Sequence, residues 1–382
     1  MRRLLVLVSV VIFVDAMLFG VLTPLIPGYA DAFGLSKLGS GFLVAAFGAG
    51  ALVGGIPGGI AALHVGPKRT VLLGLGLLAV ASLAFAVAGD PWALGLSRFV
   101  QGISSTTTWA GALAWLTVAT PRERRGETLG VAFGTAVFGA ILGPMFGAIA
   151  KVLGIRPTFV VVAFVAVGLA VAAALNVAPP AESQRPGALR RALGDETFVG
   201  GLWLNTLPAL LFGTIALLVP LALDDGGFSA FAIGAVFLGA GVIEAGLNPL
   251  VGRLSDRVGR LRPARVALVA SVAVTVGLAF VSQPAALAGL VCAASLAFGS
   301  FYTPGMALVS DRAEVAGLAQ GLAFGVMNSA WALGNLTGPA LGGALAERWG
   351  DAVPYLLGGF LCLLTLLSTQ LVVRTRQLRV PA

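Results

Sequence analysis

Residues 13–24 read Phe13-Val-Asp-Ala-Met-Leu-Phe-Gly-Val-Leu-Thr-Pro24, and one acid, Asp15, interrupts this otherwise apolar run. The run belongs to an apolar segment, 4–28, that is long enough to cross a bilayer as a helix. A carboxylate at the centre of such a helix costs roughly 2.5–3.5 kcal/mol on insertion scales. Acids in this position face the protein interior or a water-filled path, and they handle protons or cations. The segment therefore predicts a membrane protein and indicates transport.

The composition extends this pattern to the whole chain. Of the 382 residues, 58% are hydrophobic and only 10% are charged, whereas a soluble domain carries about 25% charged residues. The backbone in lipid must satisfy its own hydrogen bonds, and the apolar segments are too long for barrel strands, so each is predicted to be a helix. We predict an all-α membrane protein with twelve transmembrane helices, at 4–28, 39–63, 70–88, 91–118, 126–152, 156–178, 198–223, 229–251, 263–282, 284–309, 317–346 and 351–373.

The net charge of +8 is distributed across alternate loops. With the N-terminus in the cytoplasm, 19 of the 24 basic residues fall in the inner loops and tails. The outer loops then carry only Lys37, Lys151, Arg156 and Arg348. This bias predicts a multi-pass protein of a bacterial-type inner (plasma) membrane with both termini cytoplasmic. It also argues against a nucleic-acid partner, since the charge forms no single basic face.

The sequence offers little for catalysis or for a cofactor. Cys292 and Cys362 both lie inside predicted spans, and His64 is the single histidine. No nucleotide-binding loop of the Gly-x4-Gly-Lys-Ser/Thr type occurs. We therefore expect no enzyme activity, no metal site and no cofactor, and an energy source other than ATP.

An internal repeat divides the chain in two. At an offset of 193–195 residues, Leu18-Phe19-Gly20 falls on Leu211-Phe212-Gly213, and Gly143-Pro144 falls on Gly338-Pro339. We predict an N-terminal six-helix bundle at 1–178, a cytoplasmic linker at 179–197, and a C-terminal six-helix bundle with a short basic tail at 198–382. The two pseudo-symmetric bundles share one orientation in the membrane, which places a substrate site at the midplane between them.

With this organisation, the sequence resembles the major facilitator superfamily over nearly its full length. The loop Gly252-Arg-Leu-Ser-Asp-Arg-Val-Gly-Arg260 is similar to the family's cytoplasmic signature. The resemblance implies a conformational latch of the outward-open state, formed here by Gly252, Asp256, Arg257, Gly259 and Arg260. The first-half copy has Leu63 and His64 in place of the acid and the arginine, so we expect the second copy to do more of this work.

Two further motifs narrow the resemblance. Leu96-Ser-Arg98-Phe-Val-Gln101-Gly102 is similar to the family's helix-4 motif. The fifth span resembles the helix-5 motif of the drug/proton antiporter group, in which glycines allow close helix packing and a proline bends the helix. Those residues are Gly139, Gly143, Pro144 and Gly147. The opening helix, with Asp15 before Pro24 and Pro27, resembles that of vesicular monoamine transporters, which implies binding of a cationic amine or a proton.

Three charged residues are candidates for coupling protons to substrate: Asp15, Arg98 and Glu244. Asp15 is the expected acceptor for Arg98, although an arginine snorkelling to the outer surface fits the pattern too. Asp15 and Glu244 each lie about 20 Å from the outer end of their helices. Glu244 is either a second exchange site or the partner of a structural hydrogen bond to Asn248.

The remaining candidates are polar or aromatic side chains inside the spans, where an unpaired amide is costly. The predicted substrate cavity comprises Gln101, Asn205, Phe212, Tyr302, Asn328, Trp331 and Asn335.

We predict a monomeric secondary active transporter that works in the lipid bilayer, with protons and a small-molecule substrate as its partners. The favoured activity is proton-coupled export of small lipophilic or cationic compounds by alternating access. Two alternatives stay open. One is a lipid or siderophore exporter of the same fold, and the other is a non-transporting membrane receptor.

Overall fold

The computed structural model describes residues 2–120, 125–177, 187–258 and 261–377, and every regular element in these ranges is helical. The α-helices are α1 (Arg2–Gly20), α2 (Ile26–Phe33), α3 (Lys37–His64), α4 (Pro67–Val87), α5 (Pro91–Ala119), α6 (Arg125–Leu153), α7 (Ile155–Ala174), α8 (Ala188–Leu193), α9 (Glu196–Asp225), α10 (Ala230–Val258), α11 (Leu261–Phe280), α12 (Pro284–Gly299), α13 (Tyr302–Ala316), α14 (Gln320–Trp349) and α15 (Ala352–Gln377). A 3-10 turn, Thr23–Leu25, separates α1 from α2.

Each of the twelve predicted spans falls on helix. Within the described residues, nine stretches are long and apolar enough to cross a membrane. Three more helices, α5, α10 and α14, are of comparable length, at 29, 29 and 30 residues. The predicted all-α, twelve-span architecture is confirmed for the described part of the chain. The short α8 lies within the predicted linker, of which residues 179–186 fall outside the described ranges.

Two of the spans are broken, and a proline explains each break. Pro24 has no N–H to donate to the carbonyl of Gly20, and its ring would clash with that carbonyl in a continuing helix. The first span accordingly ends its α-helix at Gly20 and resumes at Ile26. Pro304 has the same relation to Ser300, and the tenth span is interrupted between Gly299 and Tyr302. Broken helices near the bilayer midplane are where transporters form substrate sites.

The glycines of the fifth span fix α6 against α1. At Gly139, Gly143 and Gly147, a Cβ atom would overlap main-chain oxygens of α1 and of the residue that follows it. Those oxygens belong to Phe13, Met17 and Val21, which lie one helical turn apart. Pro144 packs on the end of α1, since a Cβ at Gly20 would lie 3.0 Å from its Cδ. The helix that carries Asp15 therefore lies in main-chain contact with α6.

The same contact occurs in the second half. Gly334 and Gly338 of α14 face the main-chain oxygens of Thr206 and Leu210 in α9, again with no room for a Cβ. The two helix pairs differ by 193–195 residues, which is the offset of the sequence repeat. The repeat thus corresponds to an equivalent helix contact in each half.

Among the described residues, the most extensive contacts between the halves are those of α3 with α14 and of α6 with α10. Gly48 and Gly55 of α3 lie against Leu336 and Ser329 of α14 without space for a side chain. On the other side, Gly241 of α10 lies against Ile141 of α6.

Candidate functional site

Asp15 is buried inside the first half, with 4% of its surface exposed. Its Oδ2 accepts two hydrogen bonds, from Ser105 Oγ at 2.6 Å and from Trp109 Nε1 at 2.8 Å. Both donors belong to α5, so the sequence spacing of four residues places them one turn apart on one face. Oδ1 accepts no hydrogen bond from the residues that the structure describes. A carboxylate oxygen in this situation can accept a further hydrogen bond.

Arg98 is also buried, with 2% of its surface exposed, which is inconsistent with a snorkelling side chain. Its Nη1 donates to the carbonyl of Leu18 at 3.0 Å and to Gln101 Oε1 at 2.9 Å. Its Nη2 donates to the carbonyl of Phe19 at 3.1 Å. The guanidinium lies 4.8 Å from the centre of the Phe47 ring, in cation–π geometry.

The expected acceptor of Arg98 was Asp15, and in this structure the partner is a different one. No hydrogen bond or ion pair joins Asp15 to Arg98 in the described part of the chain. The break at Gly20 deprives the last carbonyls of α1 of their regular donors, and in lipid such groups need another partner. Arg98 supplies it, so this arginine caps the broken end of the helix that carries Asp15.

Two buried donors of this cap have no acceptor. Arg98 Nε and Gln101 Nε2 each make no hydrogen bond to any residue that the structure describes. A buried N–H without a partner costs about 1–3 kcal/mol, and such a group in a native protein calls for an explanation. Among the described residues, the interior of the first half therefore contains two unpaired donors in addition to the unpaired Oδ1 of Asp15.

Glu244 lies at the second helix break. Its carboxylate sits against Gly299, the last residue of α12, where a Cβ would lie 2.5 Å from Glu244 Cδ. The group is within electrostatic reach of the Tyr302 hydroxyl, and the Trp331 indole approaches the same hydroxyl. Glu244 has no hydrogen bond or ion pair among the described residues. The alternative partner, Asn248, has a side chain outside the described part of the structure.

A set of aromatic rings lies between the two charged regions. Phe19 contacts Phe47 at a centroid distance of 5.4 Å and Trp331 at 5.0 Å, so it joins the first half to the second. Phe212 stacks with Tyr302 at 6.5 Å. Phe19, Phe212, Tyr302 and Trp331 are all partly exposed inside the bundle, as expected for side chains that border a substrate path.

Two of the predicted cavity residues lie in helix contacts instead. Asn205 Nδ2 donates to the carbonyl of Gly201 in its own helix, and Asn335 Nδ2 donates to that of Trp331. Each side chain is more than nine-tenths buried. Helix packing accounts for both amides. Asn328 is partly buried, with no hydrogen bond to a described residue.

Phe19 and Phe47 were not among the predicted site residues. The signal for Phe19 was present, because the repeat aligns it with Phe212, which was selected. Phe47 carried no such signal, since its role depends on a non-local contact with Arg98.

The predicted latch falls largely on positions that the structure does not describe. Gly259 and Arg260 lie outside the described residues, and so do the side chain of Asp256 and the burial of Gly252. Arg257 is exposed near the end of α10. The latch stays a prediction.

A contact between the halves that the sequence did not suggest lies at the opposite end of the bundle. Lys37 of α3 forms an ion pair with Asp351. Glu347 Oε2 accepts a hydrogen bond from the Leu38 N–H at 2.8 Å. Glu347 thus places a carboxylate at the N-terminus of α3, where the helix dipole favours negative charge. We call this group the end contact; it comprises Ser36, Lys37, Leu38, Glu347 and Asp351.

The end contact is sensitive to pH. Hydrogen bonds from Ser36 and from the main chain of Leu38 hold the pKa of Glu347 below its ordinary value of 4.5. A lowered pKa means that the contact is fully present above pH 4.5 and weakens as the pH falls through the lowered pKa. Since Glu347 is exposed, the effect is modest.

Matched helix bundles joined around buried charges, with two helices broken beside those charges, define a membrane transport protein. The sequence matches the Major Facilitator Superfamily over residues 8–324 and 209–381. The chain belongs to this family.

Its relatives and structural neighbours agree with that assignment. The chain is 24% identical to multidrug resistance protein 2 of Bacillus subtilis over 370 residues, covering 93% of this chain and 91% of the relative. It is 24% identical to quinolone resistance protein NorA of Staphylococcus aureus, covering 89% of each. It is 27% identical to multidrug resistance protein MdtG of Citrobacter koseri, covering 88% of this chain and 87% of the relative.

Among solved structures, the fold is similar to a bacterial homologue of the human lysosomal transporter Spinster in an inward-facing, occupied conformation. The TM-score is 0.78 at 15% identity, with 97% of this chain and 96% of that chain covered. It is also similar to the human organic anion transporter MFSD10, with a TM-score of 0.68, 19% identity, and 96% and 98% coverage.

Proposed function

We propose that this transporter exports small lipophilic or cationic compounds in exchange for protons, and that Asp15 is the coupling carboxylate. The observation that carries the proposal is the geometry of Asp15. It is a buried acid in a broken helix with one oxygen held by two donors and the other without a donor among the described residues. A carboxylate of this kind binds either a proton or a cation, and a single site that binds one at a time couples the two.

The exchange needs the site to face each side in turn. In the inward-open state, Asp15 is ionised and binds the cationic substrate. In the outward-open state, a proton displaces the substrate and returns with the carboxylate to the inside. The close contact of α1 with α6, and the cap that Arg98 forms on α1, make Asp15 move with the first half as one body. Arg98 is therefore a positioning residue in this mechanism, and Glu244 is proposed as a second cation site in the other half.

The aromatic side chains around the midplane suit a lipophilic substrate. Phe19, Trp331, Phe212 and Tyr302 offer ring faces, which attract both planar apolar groups and cations. The names of the three relatives, two of them multidrug resistance proteins and one a quinolone resistance protein, support drug-like substrates.

The proposal includes an orientation. We place both termini and the linker 179–197 in the cytoplasm of a cell with a plasma membrane, with domain boundaries at 178 and 198 and a monomeric protein. The distribution of lysine and arginine supports this orientation. In it, the end contact faces the outside.

The test is transport by purified protein in proteoliposomes with an imposed pH gradient. The probe is tetraphenylphosphonium, a lipophilic cation, with membrane potential clamped to zero by potassium and valinomycin. We expect uphill movement of the probe against the proton flux, and its loss when nigericin collapses the gradient. Movement that continues unchanged after the collapse would exclude proton coupling. Absence of movement for this probe and for a panel of neutral lipophilic compounds would favour the receptor alternative.

A further inference from the structure

A groove of about 480 Å³ opens between α1 and α7 at the end of the bundle that carries the N-terminus. We call it the α1–α7 groove. Its lining includes Arg2, Arg3, Val6, Val10, Leu169 and Ala172. It lies on the outer surface of the first half, away from Asp15 and the aromatic residues of the transport site.

Helix packing explains the shape of the groove. α1 packs along α6 and meets α7 only over a short stretch, so the two helices leave a gap on the lipid-facing side. Ala172 contributes little volume to the wall of α7. Val6 and Val10 in the wall of α1 are 56% and 41% exposed. The walls are thus apolar for at least one helical turn beyond the arginines.

The charges of the groove are basic and unneutralised. Arg2 and Arg3 are exposed and form no ion pair within the described residues, and no acid lines the groove. The nearby Lys68 is already engaged, since its Nζ donates to the carbonyls of Ala174 and Asn176 at 2.7 and 2.6 Å. Lys68 thereby satisfies the C-terminal end of α7 and fixes the far wall of the groove.

We propose that the α1–α7 groove binds an anionic phospholipid of the leaflet that faces the termini. The phosphate lies on Arg2 and Arg3, and an acyl chain follows the apolar walls between Val6 and Leu169. Basic pockets between transmembrane helices at the cytoplasmic surface suit anionic headgroups. The continuity of cationic and apolar surface in one groove selects a lipid over a soluble anion, which would use only the arginines. The site does not depend on the substrate or on proton coupling.

The lipid would join α1 to α7 where the protein itself makes little contact between them. Because α1 carries Asp15, the ligand steadies the outer face of the helix whose inner face holds the coupling site. A ligand that binds only the folded protein stabilises it, so we expect bound lipid to raise the stability of the first half.

The test is native mass spectrometry of the full-length protein in detergent, titrated with phosphatidylglycerol or with phosphatidylcholine of the same acyl chains. Each arginine near an anionic lipid contributes about fivefold in affinity, so the double variant Arg2→Gln/Arg3→Gln should bind phosphatidylglycerol about 25-fold more weakly. Binding of phosphatidylcholine should not change. Arg262→Gln is the matched control, because Arg262 is an exposed arginine at the start of α11 in the other half.

A second variant tests the shape of the site with its charges intact. Ala172→Trp fills the groove, and we expect it to weaken phosphatidylglycerol binding at least tenfold while the protein elutes as wild type in size exclusion. Equal affinity of wild type and the double-arginine variant would overturn the proposal. Unchanged lipid binding by Ala172→Trp would also overturn it. Displacement of the lipid by millimolar inorganic phosphate would show that the site binds the anion alone, which likewise contradicts the proposal.

Discussion

Arg98 should contribute more to stability than Asp15, and the difference follows from its acceptors. Replacing Arg98 by Met leaves the carbonyls of Leu18 and Phe19 without the donors that now lie 3.0 and 3.1 Å away. Each buried carbonyl without a partner costs about 1–3 kcal/mol, so Arg98→Met should lower the free energy of unfolding by about 2–6 kcal/mol. The conservative variant Arg98→Lys keeps a positive charge with three donors, so its free energy of unfolding should lie between those of wild type and Arg98→Met.

Asp15→Asn is the matched comparison. The amide oxygen of Asn still accepts from Ser105 Oγ and Trp109 Nε1, so neither donor is left unpaired. Both hydrogen bonds lose their charge assistance, about 1 kcal/mol each, and removal of a buried charge offsets part of that loss, so we expect the free energy of unfolding to fall by less than about 2 kcal/mol. The assay is equilibrium unfolding by SDS in mixed micelles, followed by tryptophan fluorescence.

A direct ion pair would give a different pattern. Breaking a buried pair from either side leaves one unpaired charge and costs about 3–5 kcal/mol. Similar losses for Arg98→Met and Asp15→Asn, with stability restored in the double variant, would refute the capping role of Arg98.

Three further outcomes follow from the contacts described. Gly143→Ala should lower both transport and stability, because its Cβ would meet α1, whereas Gly134→Ala should have little effect because nothing lies within 4 Å of that position. Equal effects of the two variants on initial transport rates would contradict the role of the α1–α6 contact. Glu347→Gln, and acidification below pH 4.5, should each increase the distance between the two halves at the end contact, as measured between spin labels at that end. Unchanged distances in both cases would show that the contact does not hold the halves together. Phe19→Ala should weaken binding of tetraphenylphosphonium by about 5–10-fold, from an aromatic contribution of about 1 kcal/mol or slightly more, while Phe42→Ala, at a position 60% exposed on the surface, should not.

The positions of the spans were accessible from the sequence because their causes are local. Segment length and apolarity decide which residues become transmembrane helix. The breaks beside Pro24 and Pro304 were not predicted. A proline alone does not identify a break, because Pro57 and Pro208 lie inside continuous helices of the same structure. The glycines of the fifth span predicted close packing, although the sequence did not identify α1 as the partner helix.

The partner of Arg98 was not accessible, because its acceptors are main-chain carbonyls that have no identity in the sequence. An intramembrane acid nearby was the obvious candidate by charge, yet the helix break creates a stronger need for donors. The end contact was missed for another reason. Leu38 and Glu347 are 309 residues apart, so no local pattern joins them. Asn205 and Asn335 were predicted to line the cavity because a buried amide without a partner is costly. In the structure, each amide donates a hydrogen bond to a carbonyl of its own helix.

The central claim is that Asp15 couples proton movement to substrate movement. The most direct measurement compares wild type, Asp15→Asn and the exposed-acid control Asp31→Asn in proteoliposomes under one pH gradient, with tetraphenylphosphonium as the probe. We predict that Asp15→Asn, folded by the unfolding assay, carries no uphill flux because an amide neither binds nor releases the proton, while Asp31→Asn accumulates the probe as wild type does. Uphill accumulation by Asp15→Asn at the wild-type rate would contradict the account and make Glu244 the leading candidate.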